Sequence, residues 1–193
     1  VSAVEVKPGN RLLVHHVLLY IDTNGSSVAL DNAEPGLGYT CFGGPRFNIS
    51  DGNAITAWLG GWAPGNAPQT LPNGVGIQLP KGARVVMQVH YSARGGAPSP
   101  DVTSVGLRYS RVPVQKRYLT LPLVNQSFRI PAGDSHHTVT AGLPAGIPFL
   151  PTDVHLHAIT PHMHLLGTSM NIETSLGNAT RCLVNVPNWD FRW

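Results

Sequence analysis

The chain has 193 residues, a formal net charge of +3 and only 12% charged residues. Its 13 lysines and arginines are scattered, which excludes the basic patch of a nucleic-acid-binding protein, and no apolar run is long enough to span a membrane. The 21 glycines and 17 prolines exclude long helices and predict many short strands joined by turns.

The first half of the chain contains three predicted strands. Residues 11–22 and 82–91 are apolar, β-branched runs next to turn residues, so both are predicted to be buried. Residues 105–111 alternate at period two, which is typical of a half-exposed strand. The intervening residues 32–80 are rich in glycine, proline and asparagine and predict a long loop. Its expected anchors in the core are Phe42, Trp58 and Trp62.

The second half predicts a further set of strands. Its members are residues 116–122, 128–133, 154–159 and 169–174, with a turn at the Pro-Ala-Gly sequence that ends at Gly133. The whole pattern predicts an all-β fold. We expect two parts, with the boundary between Tyr109 and Leu123.

Both ends suggest a fragment. The sequence starts at Val1 without an initiator methionine or a signal peptide, and residues 187–193 have the aromatic alternation of a strand and then stop. We therefore expect a longer parent protein.

The two cysteines, Cys41 and Cys182, have no second cysteine at zinc-finger spacing, which argues against a thiolate zinc site. Two alternatives remain open: one disulfide between them, or pairing of each with a partner outside the chain. Asn-x-Ser/Thr sequons occur at Asn48, Asn125 and Asn178. We expect an exported protein, located in the periplasm, the extracellular space or a secretory lumen.

Nine histidines, mostly in short clusters, are the strongest chemical signal in the sequence. Imidazole is a good ligand for copper, zinc, iron and nickel, so the clusters predict a transition-metal protein. His15 and His16 are adjacent, and adjacent strand residues point to opposite faces unless the strand bulges or ends there. One of them is therefore a ligand and the other a core histidine, or both join His90 in a three-histidine site. His90 by itself is more typical of a hydrogen-bonded core histidine.

His162 and His164 are two residues apart, so on a strand both side chains leave the same face and can bind one ion. His155 and His157 share that spacing, and second-layer partners, surface groups or an additional metal site are all open for them. No role is predicted for the remaining pair, His136 and His137.

Other catalytic motifs do not occur. The sequence has no Gly-x-Ser-x-Gly elbow, phosphate-binding loop or His-Glu-x-x-His motif, and its ten acidic residues give no candidate catalytic pair. A three-histidine zinc hydrolase is a rival hypothesis, because such a site can activate water, but no general base lies near either cluster in the sequence. Zinc loading with hydrolytic activity would favour it.

Four pieces of the sequence, in order, resemble the copper type II, ascorbate-dependent monooxygenases, the family of peptidylglycine α-hydroxylating monooxygenase and dopamine β-monooxygenase. They are the His-His-Val-Leu-Leu run at residues 15–19, Gln-Val-His-Tyr at 88–91, Phe-x-Ile-Pro-Ala-Gly at 128–133, and His-x-His at 162–164 followed by Gly167. The resemblance spans nearly the whole chain. It implies two consecutive β-sandwich domains of jelly-roll type, residues 1–112 and 113–193, the second of them incomplete, and each binds one copper ion.

By this resemblance, His15, His16 and His90 bind an electron-transfer copper, and His162 and His164 bind the copper that activates O2. The family completes the second site with a methionine, which the resemblance places beyond residue 193, because Met87, Met163 and Met170 lie in other contexts. Peptide-amidating members carry an arginine where this chain has Thr160, which disfavours peptide amidation. The expected activity is hydroxylation of a C–H bond in an unidentified organic substrate, with O2 and a reductant such as ascorbate. The alternative is a non-catalytic copper-binding or structural subunit of a larger assembly.

Overall fold

The computed structural model describes residues 1–47, 57–92, 99–125, 127–143 and 154–191. The Asn48 sequon and part of the Asn125 sequon lie outside these residues. Contacts divide the chain into an N-terminal unit, Val1–Pro122, and a C-terminal unit, Leu123–Trp193. The N-terminal unit runs past the expected boundary at residue 112, because a short strand at Lys116–Arg117 pairs with an earlier strand of that unit.

The described residues form ten strands and one two-turn helix, so the all-β prediction is confirmed. The N-terminal unit contains β1 (Ala3–Lys7), β2 (Val14–Asp22), α1 (Ser26–Asn32), β3 (Trp58–Trp62), β4 (Gln69–Thr70), β5 (Val75–Gly76), β6 (Arg84–Tyr91), β7 (Ser104–Arg108) and β8 (Lys116–Arg117). The C-terminal unit contains β9 (Met170–Leu176) and β10 (Ala179–Val186). Within the described part of the chain, no helix has the length and apolar character needed to cross a membrane.

Two antiparallel sheets share the core of the N-terminal unit. Their strand orders are β4-β1-β7 and β3-β2-β6, and a parallel pair, β5-β8, lies beside them. Alternation places Val4 and Val6 of β1 in the core, while Val17, Leu19 and Ile21 of β2 enter it from the other sheet. The opposite face of β2 carries His16 and Leu18, which are half-buried, and Tyr20, which is buried.

Several predicted elements are shifted in the structure. The strand expected at residues 11–22 starts three residues late, because the carbonyl of Asn10 accepts hydrogen bonds from the N–H groups of Leu13 and Val14 and closes a turn. Of the aromatic residues expected to anchor the long loop, Trp62 is buried, but Phe42 is 91% exposed. Phe47, at 8% exposed, lies in the core edge instead.

The C-terminal unit differs more from the prediction. The strand expected at 154–159 is wrong: these residues form no strand, and Val154 and Leu156 are each 65% exposed. Residues 128–133 do not form the expected strand, but residues 131–134 form the expected turn, in which the Asp134 N–H donates to the Pro131 carbonyl and Gly133 has a φ of 84°. The strand expected at 169–174 is present as β9, and its antiparallel partner β10 was not predicted. Asn178 lies in the exposed turn between these strands.

The disulfide alternative is wrong. Both cysteines lie in described segments and both are free thiols. The Cys41 sulfur accepts a hydrogen bond from Gln88 Nε2 at 3.2 Å, and the Cys182 sulfur donates to Asn171 Oδ1 at 3.4 Å. Each thiol is therefore engaged within its own unit.

Candidate metal centre

A bulge in β2 solves the geometric problem of the adjacent histidines. In the β2–β6 pairing, Val14 lies opposite Tyr91 and His16 lies opposite His90, so the register shifts at His15. A bulge of this kind sets two residues against one and redirects the side chain of the extra residue. The structure brings His15, His16 and His90 together, with one nitrogen of each ring within 4.8 Å of the others.

The Nδ1 atom of His16 lies close to the Nδ1 atoms of both other histidines. His16 Nδ1 lies 3.0 Å from His15 Nδ1 and 3.3 Å from His90 Nδ1. The ring planes are inclined by 63° to 75°, so the contacts are edge-on. For metal–nitrogen bonds of about 2.0 Å, these nitrogen separations correspond to angles of about 100° and 110° at a central ion. Such angles suit the coordination of copper or zinc.

Hydrogen bonding between the rings accounts for this arrangement less well. A neutral imidazole nitrogen either donates one proton or accepts at one lone pair in the ring plane. His16 Nδ1 has two histidine neighbours, and one proton or one lone pair serves one of them well. An ion that accepts a lone pair from each nitrogen accounts for both contacts. The donor set therefore fits a metal ion.

The site is partly open to solvent. His90 is exposed, whereas His15 and His16 are half-buried. An ion held there is within reach of solutes, since His90 lies on β6, at the edge of its sheet as far as the described strands show. The three histidines thus lie on a hydrogen-bonded strand pair, β2 and β6, and the site is open to solvent at His90.

Gln88, two residues before His90 on the same strand face, ties a neighbouring loop to the sheet. Its Oε1 accepts from the Tyr20 hydroxyl at 3.3 Å, and its Nε2 donates to Cys41 Sγ and, at 3.4 Å, to the Gly44 carbonyl. Burial raises the pKa of Tyr20 to about 12, so this hydroxyl keeps its proton and remains a donor at neutral pH. Sequence patterns indicated no role for the side chains of Gln88 and Tyr20, although the spacing of Gln88 and His90 on a strand was a usable signal.

The second predicted pair is less organised. The rings of His162 and His164 have centroids 5.0 Å apart and are nearly perpendicular, and both side chains are exposed. They lie in a segment without strand pairing, followed by a turn in which the Gly167 N–H donates to the His164 carbonyl. The side chain of Met163 packs against Gly167, where an added Cβ would meet it at 2.7 Å. The centroids of the Phe191 and His164 rings are 6.2 Å apart.

The remaining histidines are outside both groups. His155 and His157 are exposed and belong to no strand. Asp134 accepts from the His136 N–H at 3.0 Å and lies 3.2 Å from His137 Nδ1. These hydrogen bonds hold the pKa of Asp134 below its ordinary value. Across the residues that the structure describes, the set of His15, His16 and His90 is the group of three potential ligands that converges.

Comparison of the chain with protein families, with characterised proteins and with solved structures gives no match. The site is therefore judged by its own geometry and donor chemistry.

Proposed function

We propose that this chain is part of an exported, copper-dependent monooxygenase. It hydroxylates a C–H bond of an organic substrate, with O2 and an external reductant such as ascorbate. The convergence of three imidazole nitrogens on the β2 bulge carries this proposal. Neutral imidazole tolerates both common oxidation states of copper and needs no reducing compartment.

The two histidine groups take different roles. His15, His16 and His90 hold an electron-transfer copper, and the exposure of His90 leaves that ion accessible to a soluble reductant. His162 and His164 hold the copper at which O2 reacts, and a site with few protein ligands leaves room for that molecule. Bound copper supplies one-electron redox chemistry at each position, and two electrons are required to hydroxylate a C–H bond with O2.

One observation favours the alternative, a non-catalytic copper-binding or structural subunit of a larger assembly. In the described segments, no third histidine, cysteine or carboxylate joins His162 and His164. A two-ligand site binds copper weakly compared with the three-nitrogen site. A chain that keeps one well-formed site and lacks a second is expected to bind copper without turnover.

Substitution of His164 tests the division of roles. In copper-reconstituted protein, His164→Ala should abolish ascorbate-driven O2 consumption while electron paramagnetic resonance (EPR) still shows copper at the three-histidine site. His137→Ala, which changes an exposed histidine outside both groups, is the matched control and should retain turnover.

Two outcomes decide against this assignment. Retained turnover in His164→Ala excludes His164 as a ligand of the reacting copper. One copper per chain and no ascorbate oxidation in the unsubstituted protein supports the non-catalytic alternative.

A further inference from the structure

The carboxylate of Asp101 joins the two chain segments that carry the three histidines. Its Oδ1 accepts from the Asn10 N–H at 2.8 Å, and its Oδ2 accepts from the Tyr91 hydroxyl at 3.0 Å. Asn10 begins the turn that leads into His15, and Tyr91 directly follows His90. A single side chain thus connects both arms of the site.

The Asn10 arm is fixed by several hydrogen bonds. The Asn10 carbonyl accepts from the N–H groups of Leu13 and Val14, at 3.1 and 2.9 Å, and its side chain accepts from the Leu12 N–H. Backbone atoms approach closely beside it, since a Cβ at Gly9 would lie 2.6 Å from the Val102 nitrogen. The turn before the bulge therefore has little freedom, and the hydrogen bond from the Asn10 N–H to Asp101 fixes its position relative to Tyr91.

The Tyr91 arm depends on Asp101 more directly. Tyr91 is 48% exposed, so packing alone does not hold its ring in place. Its backbone lies opposite Val14, the residue before the bulge. A hydrogen bond to a carboxylate is stronger than one between neutral groups, so it fixes the end of β6 where His90 projects.

We propose that Asp101 is a positioning residue of the metal centre, which sets the separation of His90 from His15 and His16 without contacting the ion. The proposal requires that these histidines bind a metal, as in the proposed function, but it does not require monooxygenase activity. Partners that orient metal ligands typically contribute about 10- to 100-fold to metal affinity.

Copper(II) binding to the full chain tests this role, with affinity measured by chelator competition and ligand geometry by EPR. Asp101→Ala should weaken binding at the three-histidine site by about 10- to 100-fold and change the copper hyperfine splitting. Tyr91→Phe should change the splitting in the same direction, with a smaller loss of affinity. Tyr109→Phe is the matched control, because it removes the same hydroxyl from a tyrosine that is 63% exposed and belongs to neither arm. It should leave both readouts unchanged.

The outcomes separate this proposal from the proposed function. If the unsubstituted chain binds no copper, both are overturned. If it binds copper and Asp101→Ala and Tyr91→Phe keep its affinity and spectrum, the positioning role alone is overturned. If Asp101→Ala does not fold, Tyr91→Phe decides: an unchanged spectrum overturns the role, and a changed spectrum with an unaffected Tyr109→Phe supports it.

Discussion

The two histidine groups show what a strand pair contributes to a candidate metal site. His15, His16 and His90 lie on two hydrogen-bonded strands above a buried core, and a bulge brings adjacent ligands to one point. His162 and His164 lie in an unpaired, exposed segment, and their rings are close only because of their local spacing. Local spacing yields two candidate ligands, whereas strand register adds a third candidate from 74 residues away.

The same contrast applies to the surroundings of each group. All residues of the hydrophobic core cluster belong to the N-terminal unit. In the described part of the C-terminal unit, no residue is buried, and its paired strands are β9 and β10. A two-stranded hairpin is marginally stable by itself, so rigidity of the ligands is expected mainly at the three-histidine site.

The largest effect is expected from the core beneath that site. Leu19 on β2 is fully buried, so Leu19→Ala should lower the free energy of unfolding by about 3 kcal/mol, through lost burial and the cavity left behind. Leu176→Ala removes the same atoms from a side chain that is 85% exposed and should cost below about 0.5 kcal/mol. Urea denaturation followed by circular dichroism measures both. Equal losses would show that the two units do not differ in packing.

The next effect concerns the ligands themselves. The His16 Nδ1 atom lies close to the Nδ1 atoms of both His15 and His90. His16→Ala should therefore lower copper affinity at the three-histidine site by more than about 100-fold, which exceeds the usual loss when a residue that only orients a ligand is replaced. His162→Ala should leave that affinity unchanged. Chelator competition gives both values, and a His16→Ala protein with near-normal affinity would contradict the convergence of the three rings on one ion.

A smaller effect is expected where β2 enters helix α1. The buried Asp22 carboxylate accepts from the N–H groups of Asn24, Gly25 and Ser27 and from the Ser27 hydroxyl. Burial alone would raise its pKa, but these hydrogen bonds outweigh burial and hold the pKa below the ordinary value. The stabilisation is therefore present above the pKa of the unfolded state and is lost as pH falls through the lower, folded-state pKa.

Asp22→Asn should accordingly lower the free energy of unfolding by about 2 kcal/mol at pH 7. The difference in free energy of unfolding between the two proteins should shrink below a pH of about 4, because the Asp22 side chain of the unfolded protein is then protonated and as neutral as asparagine. Asp31→Asn, at an exposed position of the same helix, is the control and should change stability by less than about 0.5 kcal/mol at any pH. A pH-independent difference would show that the charge on Asp22 is not the source of the stabilisation.

Sequence patterns predicted the positions of three strands well, but burial less well, since the run at residues 82–91 was predicted to be buried and forms β6 without a buried residue. The apolar run of β2 and the period-two pattern of β7 both gave strands close to their observed bounds. The run at 154–159 has a similar composition but forms no strand, because a strand requires a hydrogen-bonding neighbour that local sequence does not specify. The β10 strand was not predicted, because its polar residues give no apolar pattern. It forms a strand because it has β9 as a hydrogen-bonding neighbour in an exposed hairpin.

The amino-acid sequence by itself determined that the candidate ligands are imidazole nitrogens, that the fold is all-β, and which histidines belong to each of the two candidate groups. Only the tertiary structure showed that His15 and His16 lie close enough to His90 to share an ion, because the bulge depends on the register between β2 and β6, which are far apart in the chain. It also decided the positions of Gln88 and Asp101, whose partners come from distant segments. Residue type sets which atoms can bind an ion, and long-range strand pairing sets whether those atoms meet.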